Sequence, residues 1–126
     1  MTPATVKLND HWAGDTWMAL TPGLIIGPIQ INTGTVEAPI LSAPPNPVAS
    51  CLLQFKNQGG AVGYELSSVD TTGKGSIAID DAATWIFTVP PQDLPLSDGK
   101  WPWSFKCVDS LGTEMTFYKG TLTVNP

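Results

Sequence analysis

The chain has 126 residues, enough for one hydrophobic core and too few for two. Only 13% of them are charged, against roughly 25% in an average soluble domain. A net charge of −5 and a pI near 4.4 argue against nucleic acid, which needs basic grooves, and no apolar run approaches the ~18 residues of a membrane span.

Taken in order, the opening MTPATVKLND has no basic segment followed by an apolar one, so no secretory leader is read and synthesis in a cytoplasm is expected. Thr5 to Leu8 is β-prone and Asn9-Asp10 signals a turn. Gly14-Asp15 leads into a strand that places Trp17 and Ala19 on one face. Thr21-Pro22-Gly23 has tight-turn chemistry. Leu24 to Ile31 is apolar and β-branched but broken by Gly27-Pro28. Because proline cannot donate to a ladder, this is an edge or bulged strand. Asn32-Thr33-Gly34 turns, Thr35 to Leu41 is a further short edge segment, and Ser42 to Pro47 is a proline-rich connector.

Val48 to Lys56 alternates cleanly, with Cys51, Leu53 and Phe55 on one side. Asn57 to Gly60 turns into a short strand at Tyr64-Glu65-Leu66, and Asp70 to Gly75 is a loop. Ser76 to Asp81 alternates, and Ala82 to Val89 puts Trp85, Phe87 and Val89 on one face before Pro90-Pro91. Gln92 to Asp98 reads as an irregular connection with room for one helical turn. The last third is a β-hairpin. Trp101, Trp103, Phe105 and Cys107 share one face, Asp109 to Gly112 turns, and Tyr118, Gly120, Leu122 and Val124 share one parity on the return. Many short strands punctuated by turns, with 12 Pro and 12 Gly and no helical stripe, predict an all-β single domain over residues 1–126, an antiparallel β-sandwich or a barrel.

Little in the chain suggests chemistry. His11 beside Asp10 and Asp15 lacks a nucleophile, and a lone His in a polar turn is expected to be solvated. Asp70, Asp80 and Asp81 lack the dense, Gly-spaced pattern of a calcium loop. Two Cys and one His give no metal spacing, so neither metal nor cofactor is expected. Cys51 and Cys107 sit on core faces of separate strands. Without a leader, two buried free thiols are favoured over a disulfide. Of the five tryptophans, Trp85, Trp101 and Trp103 alternate in step with other core residues, while Trp12 and Trp17 stay open as surface contacts.

A set of motifs in fixed order carries a resemblance. They are Gly14-Asp15-Thr16-Trp17, Cys51-Leu52-Leu53-Gln54-Phe55, Gly75-Ser76-Ile77-Ala78-Ile79-Asp80 and a strand from Trp85 to Pro91. Then come Leu96, Asp98-Gly99-Lys100-Trp101-Pro102-Trp103, Asp109-Ser110-Leu111-Gly112-Thr113 and Gly120-Thr121-Leu122-Thr123-Val124. Over residues 12–20 and 48–124 this order resembles small immunoglobulin-like β-sandwich proteins of tailed bacteriophages. These are associated with tail fibres and baseplates and are similar to the N-terminal domain of baseplate upper proteins. The chain departs from that pattern at 23–47, an edge-strand and proline-rich insertion. The resemblance implies a non-enzymatic virion structural protein, located in the virion, that contacts other virion proteins or copies of itself. No small-molecule ligand, nucleic acid or membrane partner is expected.

A bare edge bearing Ile25, Ile26, Ile29 and Ile31 is an aggregation hazard, so these residues with Trp12 are the expected interface. A capsid decoration protein is the nearest variant. A carbohydrate-binding module reading host glycans through Trp12 and Trp17 is the alternative of a different class.

Overall fold

The computed structural model describes residues 4–18, 23–69 and 72–126, and the part of the first expected strand at Ala19 and Leu20 lies outside them. The described residues are all β. The first six strands are short: β1 (Ala4–Thr5), β2 (His11–Trp12), β3 (Thr16–Trp17), β4 (Leu24–Ile26), β5 (Ile31–Asn32) and β6 (Leu41–Ser42). Then come β7 (Val48–Lys56), β8 (Val62–Ser67), β9 (Gly75–Ser76), β10 (Ala78–Asp81), β11 (Ile86–Val89) and β12 (Gln92–Asp93). The chain closes with the two longest, β13 (Gly99–Asp109) and β14 (Glu114–Asn125).

Seven strands form one sheet in the order β1-β14-β13-β7-β8-β9, with β2 also on β14. A second sheet runs β10-β11-β4, and two strand pairs, β12-β3 and β5-β6, stand apart from both. The chain leaves the large sheet at Ile77, which is buried and donates its N–H to the Ser67 carbonyl. Phe87 of the small sheet meets Phe105 of the large one edge to face, with ring centroids 5.2 Å apart. Trp85–Phe117 and Trp17–Phe55 repeat that geometry at 5.5 and 5.8 Å. Edge-to-face pairs suit the ring quadrupole, and each ring removes a large apolar area from water.

The period-two reading holds along β7 and β13, where Cys51, Leu53, Phe55, Trp103, Phe105 and Cys107 are all buried. The alternation even carries Asp109 inside. Its Oδ1 accepts the N–H groups of Leu111 and Thr113 at 2.9 Å, so the carboxylate organises the hairpin turn. Trp101 sits at the rim instead, its indole N–H donating to the Ser97 carbonyl at 2.8 Å. On β14 the single parity fails. Phe105 is opposite Tyr118 and Lys106 opposite Thr116, leaving Phe117 as the extra residue of a β-bulge. Phe117 is therefore buried while Tyr118 is only partly covered.

Three further expectations need correction. Gln92 to Asp98 contains no helical turn: β12 pairs with β3, and Leu94 and Leu96 enter the core. The Gln92 amide fixes this stretch by accepting from the Ser76 N–H and donating to the Ser76 carbonyl. Trp85 precedes its strand rather than lying within it. It adopts φ +59°, uncommon for a bulky residue, and its indole N–H is held by the Asn46 carbonyl. The expected antiparallel order is not complete: β4 is an edge strand as expected of 23–47, but β1 and β2 run parallel to β14 and β9 runs parallel to β8.

Candidate functional site

The most distinctive surface feature is an apolar cleft between the N-terminal run and β4. Val6, Lys7 and Leu8 form one wall, and Leu24 to Gly27 form the other. Leu53, Trp103, Phe105 and Tyr118 lie between them, around a volume of about 240 Å³. A second hollow of about 600 Å³ shares Tyr118 and runs on between Ala4 and the stretch from Ile29 to Asn32.

The elements around the cleft explain why it exists. β1 pairs in parallel with β14, and Val6 extends that contact by donating to the Lys119 carbonyl at 2.9 Å. On the far wall β4 pairs with β11 on one edge alone; among the described residues no strand occupies the other. The β5–β6 hairpin follows. Its loop is tied by Asn32, whose Oδ1 accepts the N–H groups of Gly34 and Ile40.

The expected interface residues do not act as one group. Ile25 is 66% exposed on the open edge and Trp12 is 53% exposed. Ile26 and Ile31 are half-buried. Ile29 is a correction: it is 2% exposed, with its N–H bonded to the Trp85 carbonyl. The Gly27-Pro28 break shifts the side-chain parity, so the isoleucine four residues after Ile25 turns inward. Val36, Ile40 and Leu41 on the β5–β6 hairpin are exposed apolar residues that the sequence reading passed over.

No family model matches this chain, and no curated protein matches it.

Trp17 is buried against Phe55, so Trp12 and Trp17 do not form a two-ring platform. His11 is also a correction. It is 5% exposed rather than solvated, because the parallel pairing of β2 with β14 sets it opposite Val124. Burial pushes its pKa below the ordinary 6.5, with the negative charge of Asp15 opposing that shift. Its Nε2 is buried and has no hydrogen-bond partner among the described residues.

Asp80 is engaged by the Thr88 hydroxyl, and the Asp81 carboxylate accepts the N–H groups of Ala83 and Thr84. Asp70, the third member of the imagined calcium set, lies outside the described residues. Among the described residues no three His, Cys, Asp or Glu side chains gather as metal ligands. Cys51 and Cys107 are free and buried, and they are neighbours in one sheet rather than on facing sheets. Burial pushes the Cys51 thiol up to about 11, with the Ser68 side-chain contact pulling the other way. Burial also raises Cys107, with a smaller push from Cys51.

Proposed function

We propose that this chain is a non-enzymatic structural protein of a tailed-phage virion. In this reading it is an immunoglobulin-like β-sandwich acting as an adaptor in a tail, baseplate or tail-fibre assembly. The observation that carries the reading is the apolar cleft beside the open edge of β4, with Ile25 66% exposed on it. An edge strand with no strand on its outer side among the described residues, next to an apolar floor, suits an extended strand from a companion chain. The occupant is another virion protein or a second copy of this chain. The sandwich assignment rests on Phe87 and Phe105, which join the two sheets through one core. The low charge fits a surface largely covered by neighbours, and the order of motifs is similar to that of the phage proteins named above.

The test compares virions carrying the wild-type chain with virions carrying Ile25→Lys, each purified and probed for the protein. The wild type is expected in the particle and the folded variant is expected to be lost from it. A wild-type chain absent from virions, or a variant incorporated at the wild-type level, sinks the reading.

A further inference from the structure

We infer that Cys51 and Cys107 form a thiol–disulfide site, a cross-strand pair that a small disulfide such as oxidised glutathione converts into one intrachain bond. The argument rests on register and on the phase of the hydrogen-bond ladder. The two residues lie directly opposite each other in the β7–β13 pair. Antiparallel partners alternate between pairs that exchange both backbone bonds and pairs that exchange none, the latter with Cα atoms about 4.5 Å apart and side chains closer.

Cys51 belongs to the second kind. Its N–H donates to Ser68 Oγ at 2.9 Å and its carbonyl accepts the Ser68 N–H at 3.1 Å, so both groups face away from β13. The opposite strand agrees. Asp109, of the same parity as Cys107, donates to the Thr113 carbonyl across the terminal hairpin, away from β7. Ser110, of the other parity, donates to the Pro47 carbonyl on the β7 side. The Cys107 amide is thereby turned toward β14.

A disulfide requires Cα atoms about 4.4–6.8 Å apart, and the typical spacing of a non-hydrogen-bonded pair, about 4.5 Å, falls at the short end of that range. Both side chains are on the buried face, 3% and 0% exposed, and both are free thiols. The bond would join the neighbouring strands β7 and β13 within one sheet, unlike the link between facing sheets that immunoglobulin domains carry.

The exchange balances in two steps. One cysteine thiolate attacks a sulfur of oxidised glutathione, forming a mixed disulfide and releasing one glutathione thiolate. The second cysteine thiolate attacks the protein sulfur of that mixed disulfide and releases the other glutathione. The protein loses two S–H bonds and gains one S–S bond, while the glutathione S–S bond breaks and its two halves leave as thiols carrying the two protons. Burial keeps the thiolates scarce in the folded chain, so exchange runs during folding or local opening.

The test refolds the full chain from urea across a series of glutathione ratios and counts disulfides by mass after alkylation. A parallel series stays in urea throughout. The expected product is an intrachain disulfide, lighter by two hydrogens, favoured in native buffer over urea by roughly tenfold or more. By linkage the oxidised chain must also show a higher urea midpoint than the reduced one. The inference is overturned if native buffer favours the bond no more than urea does, if the midpoint falls on oxidation, or if glutathione remains attached to both cysteines as the end product.

Discussion

The ribbon of β7, β13 and β14 and the stretch from Leu24 to Ser42 are both rich in apolar residues, yet they place them oppositely. The ribbon strands run for 9, 11 and 12 residues, and their alternation takes Phe55, Phe105, Cys107 and Leu122 to 0% exposure. The other stretch makes strands of 3, 2 and 2 residues and leaves Ile25, Val36, Ile40 and Leu41 at 60% exposure or more. Hydrophobicity alone does not separate them. Strand length does, because a long strand keeps every second side chain on the same buried face, in β14 on either side of its single bulge. Where Gly27, Pro28 and the turn at Asn32 interrupt that period, apolar side chains are left at the surface for something else to cover.

The contrast is broken most directly from the ribbon side. Phe105→Ala removes a ring that touches both Phe87 and Tyr118 at a fully buried site. It should cost about 3–5 kcal/mol in urea unfolding, and a loss under 1 kcal/mol would mean the two sheets do not share that contact. Next comes Gly27→Ala. Gly27 has φ +101°, and a Cβ there would run into the Trp85 carbonyl. A cost of about 1–3 kcal/mol is expected, although the residue lies beside an exposed edge. Asp109→Ala leaves the Leu111 and Thr113 N–H groups without their acceptor, for a similar cost of about 1–3 kcal/mol.

These sites also divide what was legible in the sequence from what was not. The ribbon could be read because Cys51-Leu52-Leu53-Gln54-Phe55 and Trp103-Ser104-Phe105-Lys106-Cys107 carry their burial in local alternation. The bulge at Phe117 could not, since Thr116-Phe117-Tyr118-Lys119 holds no Gly or Pro to mark an extra residue. His11 was missed for another reason. Its burial depends on pairing with Val124, more than a hundred residues away, and nothing local signals a parallel ladder. The same holds for the cleft, whose walls come from residues 6–8 and 24–27 and whose floor comes from Leu53, Trp103, Phe105 and Tyr118. Alternation could place Cys51 and Cys107 on inward faces, but only the strand register sets them opposite each other.

A smaller effect sharpens the comparison at the edge of the ribbon. Free His titrates near 6.5, whereas burial holds folded His11 below that value. As pH falls through 6.5 the unfolded chain takes up the proton first, so stability rises with pH in that window. The contribution is fully present above 6.5 and is lost as pH drops toward the folded value. His11→Asn should flatten this part of the stability profile. An unchanged slope in urea titrations between pH 7 and 5 would place the histidine in solvent and detach β2 from β14.

The smallest expected effect on stability is the most informative about the exposed stretch. Ile25→Lys sits on the open edge of β4 with its side chain 66% exposed, so it should change unfolding by no more than about 0.5 kcal/mol. If an extended segment of another chain adds to that edge, the same change puts a charge at the rim of the cleft and weakens the added strand. Stability and association should therefore separate: an unchanged urea midpoint together with lost incorporation into the particle. A large drop in the midpoint would give the opposite lesson, that Ile25 already has its partner within the fold and the open edge is not open.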